Sequence, residues 1–169
     1  DSPTSVSVTT FDTSGGTLQV AAGQTLRFNN GGTVVVGTAT SFGTATGTVA
    51  VSGGTVNVAS DTTVGAGGVT LSLTSTTVDG VGTLINQGTL DSTNDVVNVA
   101  MVNQGTASLD GSTVNGTLNN AGTLIVANTV TLNTLNMTGG LLSGVGAARI
   151  TNALNATGGQ ISLDQTSGS

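Results

Sequence analysis

The chain has 169 residues and a mass of 16.2 kDa, rich in small residues: 27 Gly, 33 Thr, 16 Ser and 15 Asn. Eight Asp against Arg27 and Arg149 give a net charge of −6, and with so few basic and aromatic side chains no nucleic-acid surface is expected. The lack of Cys and His excludes disulfides, thiolate chemistry and zinc sites, and no apolar run is long enough for a membrane-spanning helix.

The chain opens Asp1-Ser2-Pro3, with neither Met nor a basic-then-apolar leader, so it reads as a processed protein or a piece of a longer one. Thr, Val, Asn and Gly dominate, and none of them favours a helix interior. Short alternating runs recur instead between turn residues, first at Gly16-Thr17-Leu18-Gln19-Val20. The same string returns as Gly32-Thr33-Val34-Val35-Val36 and again as Gly47-Thr48-Val49-Ala50-Val51, at nearly equal steps. Between residues 52 and 80 the register slips, with an extra Gly53-Gly54-Thr55-Val56-Asn57-Val58 run, and an irregular coil or loop is expected there. From residue 84 the repeat is strict. Asn86-Gln87-Gly88-Thr89-Leu90 returns as Asn103-Gln104-Gly105-Thr106-Ala107 and Asn120-Ala121-Gly122-Thr123-Leu124 with no insertion, and continues as Met137-Thr138-Gly139-Gly140-Leu141. Leu84, Met101, Leu118 and Leu135 keep the same register, as do Val97 and Val114. Beyond residue 140 the spacing stretches, setting Thr138-Gly139-Gly140 against Thr157-Gly158-Gly159.

The period, about 17 residues, is too short for helical hairpins or propeller blades and suits one turn of a parallel β-solenoid. The expectation is therefore an all-β, right-handed parallel β-helix over residues 1–169, one domain of about ten coils of roughly 15–19 residues. At about 4.8 Å per coil it would be about 45–50 Å long. Leu84/Met101/Leu118/Leu135 and Leu90/Ala107/Leu124/Leu141 become two inward stacks, and Asn86, Asn103 and Asn120 an amide ladder. Open ends present unpaired strand edges, so neighbouring repeats of the same polypeptide, or copies stacked end to end, are the expected partners.

Acid–base catalysis on such a scaffold needs paired carboxylates. The candidates are Asp61, Asp79, Asp91, Asp95, Asp110 and Asp164. Asp61, Asp79, Asp95 and Asp110 follow one another at close to the repeat period and could line one edge. With no His, Lys or Glu to assist them, they read as solvated turn residues. No enzyme activity, catalytic residue, cofactor or bound metal is expected. Asp91 and Asp95, on either side of a corner, are the one pair that could hold an adventitious Ca²⁺. Gly65-Ala66-Gly67-Gly68 carries neither the Asp of a calcium solenoid nor the Lys of a phosphate loop. Three Thr-x-Thr strings, Thr38-Ala39-Thr40, Thr44-Ala45-Thr46-Gly47-Thr48 and Thr129-Val130-Thr131, have the form of an ice-binding array but do not recur at the coil period. Phe11, Phe28 and Phe42 are each separated by close to one period and suggest one core column of successive N-terminal coils.

The strings Gly-Gly-Thr-Leu-x-Val at 15–20, Gly82-Thr83-Leu84-Ile85-Asn86-Gln87-Gly88-Thr89-Leu90 and Gly116-Thr117-Leu118-Asn119-Asn120-Ala121-Gly122-Thr123-Leu124 resemble the repeat regions of bacterial surface exoproteins. These are the filamentous-haemagglutinin-like adhesins and autotransporter passenger domains. The resemblance covers roughly residues 11 to 165 and implies a β-helical rod, secreted or displayed on the bacterial surface. It lends no functional residues, and it places this chain as a segment of a larger protein, without secretion signature or carboxy-terminal barrel. The expected function is a structural stalk or adhesive segment with a possible host or surface ligand. A binding module for ice, glycan or protein on a regular Thr or Asn face is the alternative, and a polysaccharide-cleaving enzyme the minor one.

Overall fold

The computed structural model describes residues 4–164, except 7, 8, 17, 19, 30, 38, 39, 41–45, 66 and 67. Among the described residues every strand pairing is parallel, in one sheet wound into a three-sided coil. One side, face A, stacks β1 (Thr4–Val6), β3 (Thr25–Phe28), β5 (Thr48–Ser52), β8 (Thr70–Thr74), β11 (Thr89–Thr93), β14 (Thr106–Asp110) and β16 (Thr123–Ala127). Face B stacks β2 (Thr10–Asp12), β4 (Thr33–Val36), β6 (Thr55–Val58), β9 (Thr77–Gly80), β12 (Val96–Val97) and the start of β15 (Thr113–Asn120). Face C stacks β7 (Thr62–Val64), β10 (Leu84–Asn86), β13 (Met101–Asn103) and the end of β15. Two long strands, β17 (Thr129–Gly144) and β18 (Ala147–Leu163), each run through B, C and A in turn. This is the parallel β-helix expected from the repeats.

The coil number differs from that expectation: about seven turns, not ten. The first coils are longer than the sequence spacing implied. Leu26 stacks on Val49 and Val49 on Leu71, whereas Leu90 stacks on Ala107 and Ala107 on Leu124. An early coil therefore takes roughly 22 residues and a later one roughly 17 residues, both within the range of solenoid turns. The three Gly-Thr strings of the first half thus do not mark the same side of three coils. Leu18 and Val20 are buried on the third side of the first coil, after β2; Thr33–Val36 is face B of the second; Thr48–Ser52 is face A of the third. Every side of the triangle makes the same demand, a turn residue followed by an alternating strand. Two of the three sides of a long early coil together match the length of the apparent repeat, so side-to-side likeness mimicked a coil period.

The same misreading produced the expected loop at 52–80. That stretch holds β6, β7, β8 and β9, all of them paired in the ladders. Its extra Gly53–Val58 run is simply face B of the third coil.

Alternation sets the interior. In β5, β6 and β8 the apolar residues at every second place are buried and their neighbours are not, as period-2 strands with one wet side require. The Leu84/Met101/Leu118/Leu135 stack lies wholly inside. The second stack ends on Leu142 rather than Leu141, because the register shifts at the corner before Leu141, where Gly140 turns with φ 68°. Leu141 stacks instead on the outward Thr123.

Phe11 and Phe28 do not share a column, since Phe11 stacks on Val34 of face B and Phe28 on Val51 of face A. They meet at the corner, ring centroids 5.0 Å apart, and fill the N-terminal coils together. Phe42 lies outside the described residues.

Among the described residues, the turn from face A to face B uses one left-handed residue in six successive coils: Gly31, Gly53, Ser75, Asn94, Gly111 and Asn128, with φ between 51° and 75°. Gly and Asn tolerate this region; Ser gains little from it. Ser75→Gly is therefore expected to stabilise the protein by about 1 kcal/mol, read as a higher urea midpoint at unchanged slope. A lower midpoint would show that Ser75 is held there by another contact.

Candidate functional surface

Threonine forms the most regular outward feature. Thr25, Thr48, Thr70, Thr89, Thr106 and Thr123 stand opposite one another down face A, at the first position of each strand. Thr10, Thr33, Thr55 and Thr77 do the same down face B; after Val96 the column resumes with Thr113 and Thr131. Among the described residues, no hydrogen bond is made by the side chains of these threonines, so their hydroxyls face solvent. The Thr-x-Thr expectation missed this order because it looked along the strands; the regularity runs across them, and the greater length of the early coils concealed it.

Of the strings first singled out, 38, 39, 44 and 45 lie outside the described residues, and Val130 of Thr129-Val130-Thr131 is core. Beside the face A column run Ser72, Asp91 and Ser108, then Thr74, Thr93 and Asp110. These side chains are short, but the first of the two columns ends on Ile125 on one side and, through Ala50, on Arg27 on the other.

Asparagine forms a second kind of array. The expected Asn86–Asn103–Asn120 ladder is present and fully buried. Asn86 Nδ2 donates to Asn103 Oδ1 at 2.8 Å, and Asn103 Nδ2 to Asn120 Oδ1 at 2.7 Å. The amide nitrogens also reach the carbonyls of Thr106, Thr123 and Gly122. They brace the turns of the stacked coils, which suits polar groups in a dry interior. Further ladders lie outside: Asn119–Asn136–Asn155 on face C, Asn98–Asn115, and Gln87–Gln104.

The acidic candidates do not line one edge. Asp61 accepts the Thr83 N–H at 2.8 Å, Asp79 the Gly80 N–H, and Asp110 the Asn128 side-chain amide. Each holds its own turn or neighbouring coil. Asp164 is exposed after β18. Asp91 and Asp95 are not a cation pair: Asp91 is exposed on face A, while Asp95 is 1% exposed with its carboxylate turned inward at the A–B corner. Among the described residues no group of three acidic, His or Cys side chains is placed to hold a metal.

Sequence reasoning missed the setting of Asp95. Its Oδ1 accepts the Thr76 N–H and its Oδ2 the Ser92 hydroxyl, both at 2.7 Å. Ser112 Oγ lies 3.0 Å from Ser92 Oγ and accepts the Asp95 N–H at 3.1 Å. Thr76, Ser92 and Ser112 are all buried. Ser92 occupies a column otherwise filled by Leu73, Leu109 and Val126. A polar residue breaking an apolar column was the available signal, legible only once the columns are aligned. Burial pushes the Asp95 carboxyl above its usual range, and the hydrogen bonds from Ser92 and from the Thr76 and Thr93 backbone offset part of that.

No family model, curated protein or solved structure matches this chain.

Proposed function

We propose that the chain is a rod segment of a secreted or surface-displayed bacterial protein of the filamentous-haemagglutinin-like or autotransporter-passenger kind. It would act as a non-catalytic stalk that sets an adhesive part away from its anchor. One observation carries this reading: among the described residues the parallel ladders continue from coil to coil around one apolar core cluster, crossed only by the buried asparagine ladder and a few buried Thr, Ser and Asp side chains. At about 4.8 Å per rung, such a stack sets a fixed spacing along its axis. Low charge and two Arg as the whole supply of tryptic sites fit an extracellular setting.

A second reading, a binding module, is favoured by the solvent-facing Thr column of face A. Small hydroxyl residues in register on parallel strands offer a repeating array, one per coil, to ice or to an extended glycan.

The two readings part in one experiment. Cells displaying a binding tip above this rod should lose attachment when the rod is deleted and recover it with an unrelated β-solenoid of equal length. The bare purified rod should show no saturable binding to ice or glycan. Saturable binding by the bare rod, abolished by Thr89→Tyr, would replace the stalk by the binding module.

A further inference from the structure

We propose that the Asp95 corner is an acid-tightened joint, a buried carboxyl whose protonation strengthens the A–B turn linking the coils of β8–β9, β11–β12 and β14–β15. The cluster is built to hold the carboxyl in both protonation states. When ionised, Asp95 Oδ2 accepts from Ser92 Oγ, which accepts in turn from Ser112. When protonated, Asp95 Oδ2 donates to Ser92, Ser92 turns its hydrogen to Ser112, and Ser112 donates to the carbonyl of Ser92 or Asp110, 3.2 and 3.3 Å away. No heavy atom has to move; only the hydroxyl and carboxyl hydrogens reorient. The Thr76 N–H stays bonded to Oδ1 throughout.

What differs between the states is charge. Asp95 has no cation beside it: the charged groups on the elements packed around this corner are Asp91 on β11, Asp110 at the end of β14 and Asp79 on β9. All three carry the same sign as Asp95. Both arginines lie elsewhere, Arg27 on β3 and Arg149 on β18. An ionised Asp95 therefore sits in a dry corner among like charges, stabilised by neutral donors alone, and the neutral form is relieved of that cost.

The sign follows from linkage. With the folded-state carboxyl titrating above the unfolded one, the folded protein binds the extra proton between the two values. Stability is highest below the ordinary carboxylate range, falls as pH rises through that window, and is level above it. Asp12, fully exposed and held low by the Ser14 hydroxyl, pulls weakly the other way. The test must therefore compare variants.

Amide exchange at Thr76 and Asp95, corrected for intrinsic rates, should slow by up to about tenfold per pH unit as pH falls through the window. In Asp95→Asn it should be level with pH. Because that variant also alters the hydrogen bonding of the corner, Ser92→Ala is the companion: losing one donor to the carboxylate should widen the window. A pH-independent wild type, an equal response in Asp95→Asn, or an unchanged window in Ser92→Ala would each overturn the proposal.

Discussion

Gly105→Ala should cost far more than a methyl group ordinarily does. A Cβ at this position would lie 2.2 Å from the Gly88 carbonyl oxygen and 2.8 Å from the Gln87 carbonyl carbon, both backbone atoms of the coil beneath. That oxygen is occupied: it accepts the Thr106 N–H at 2.9 Å. The intruding methyl can be housed only by spreading two coils at the C-to-A corner. The fault is then passed on, because Gly122 rests on Gly105 as closely as Gly105 rests on Gly88. The expected loss is about 3 kcal/mol or more, at the upper end for overpacking. Two controls separate crowding from conformation. Gly53 has open space but φ 67°, so Gly53→Ala should cost about 1 kcal/mol. Gly16 has open space and no positive φ, so Gly16→Ala should be close to neutral. Equilibrium denaturation of the three gives the order, and a Gly105→Ala as mild as Gly53→Ala would mean that the coils are not stacked in this register.

Leu118→Asp should be the most damaging single substitution. Leu118 is fully buried, with Met101 below it and Leu135 above. A carboxylate there has no donor comparable to Thr76 and Ser92 at Asp95. Buried and unpaired, it should cost about 5 kcal/mol, comparable with the whole stability of a modest domain. Coils interact with their neighbours only, so the loss should fall first on the coils holding β13, β15 and β17. Amide exchange should show protection lost there before it is lost in β4–β6. An unchanged melting curve would refute the inward placement. Leu118→Met, by contrast, should cost less than about 1.5 kcal/mol, since Met101 already fills the same column.

The contrast between Leu118 and Asp95 also shows what could be read without coordinates. Both sit in positions that face the interior, yet one is hostile to charge and the other accommodates it. Asp95 looked like a solvated turn residue because Asp favours turns and no His, Lys or Glu accompanies it. The turn is there, with Asn94 at φ 55°, but the burial of the carboxylate depends on Ser92 and Ser112, one of them in the next coil. The amide ladder at Asn86, Asn103 and Asn120 was legible because its members recur at the coil length itself. The threonine columns were not, because Thr25, Thr48 and Thr70 recur at a different spacing from Thr89, Thr106 and Thr123.

By itself the sequence determined the class of architecture. Alternating β-formers between Gly and Asn, recurring at short period, bury their apolar faces by stacking as parallel coils, and the strict repeat set the register from β10 to the middle of β17. The tertiary structure alone decided the number of turns, the triangular assignment of the first half and the burial of Asp95. The physical reason is that all three sides of a coil obey the same local rule of turn, threonine and alternating apolar residues, so local pattern cannot tell a side from a coil. That distinction is made by which backbone carbonyl lies beneath which N–H, a relation between residues one full coil apart that exists only when the chain is wound.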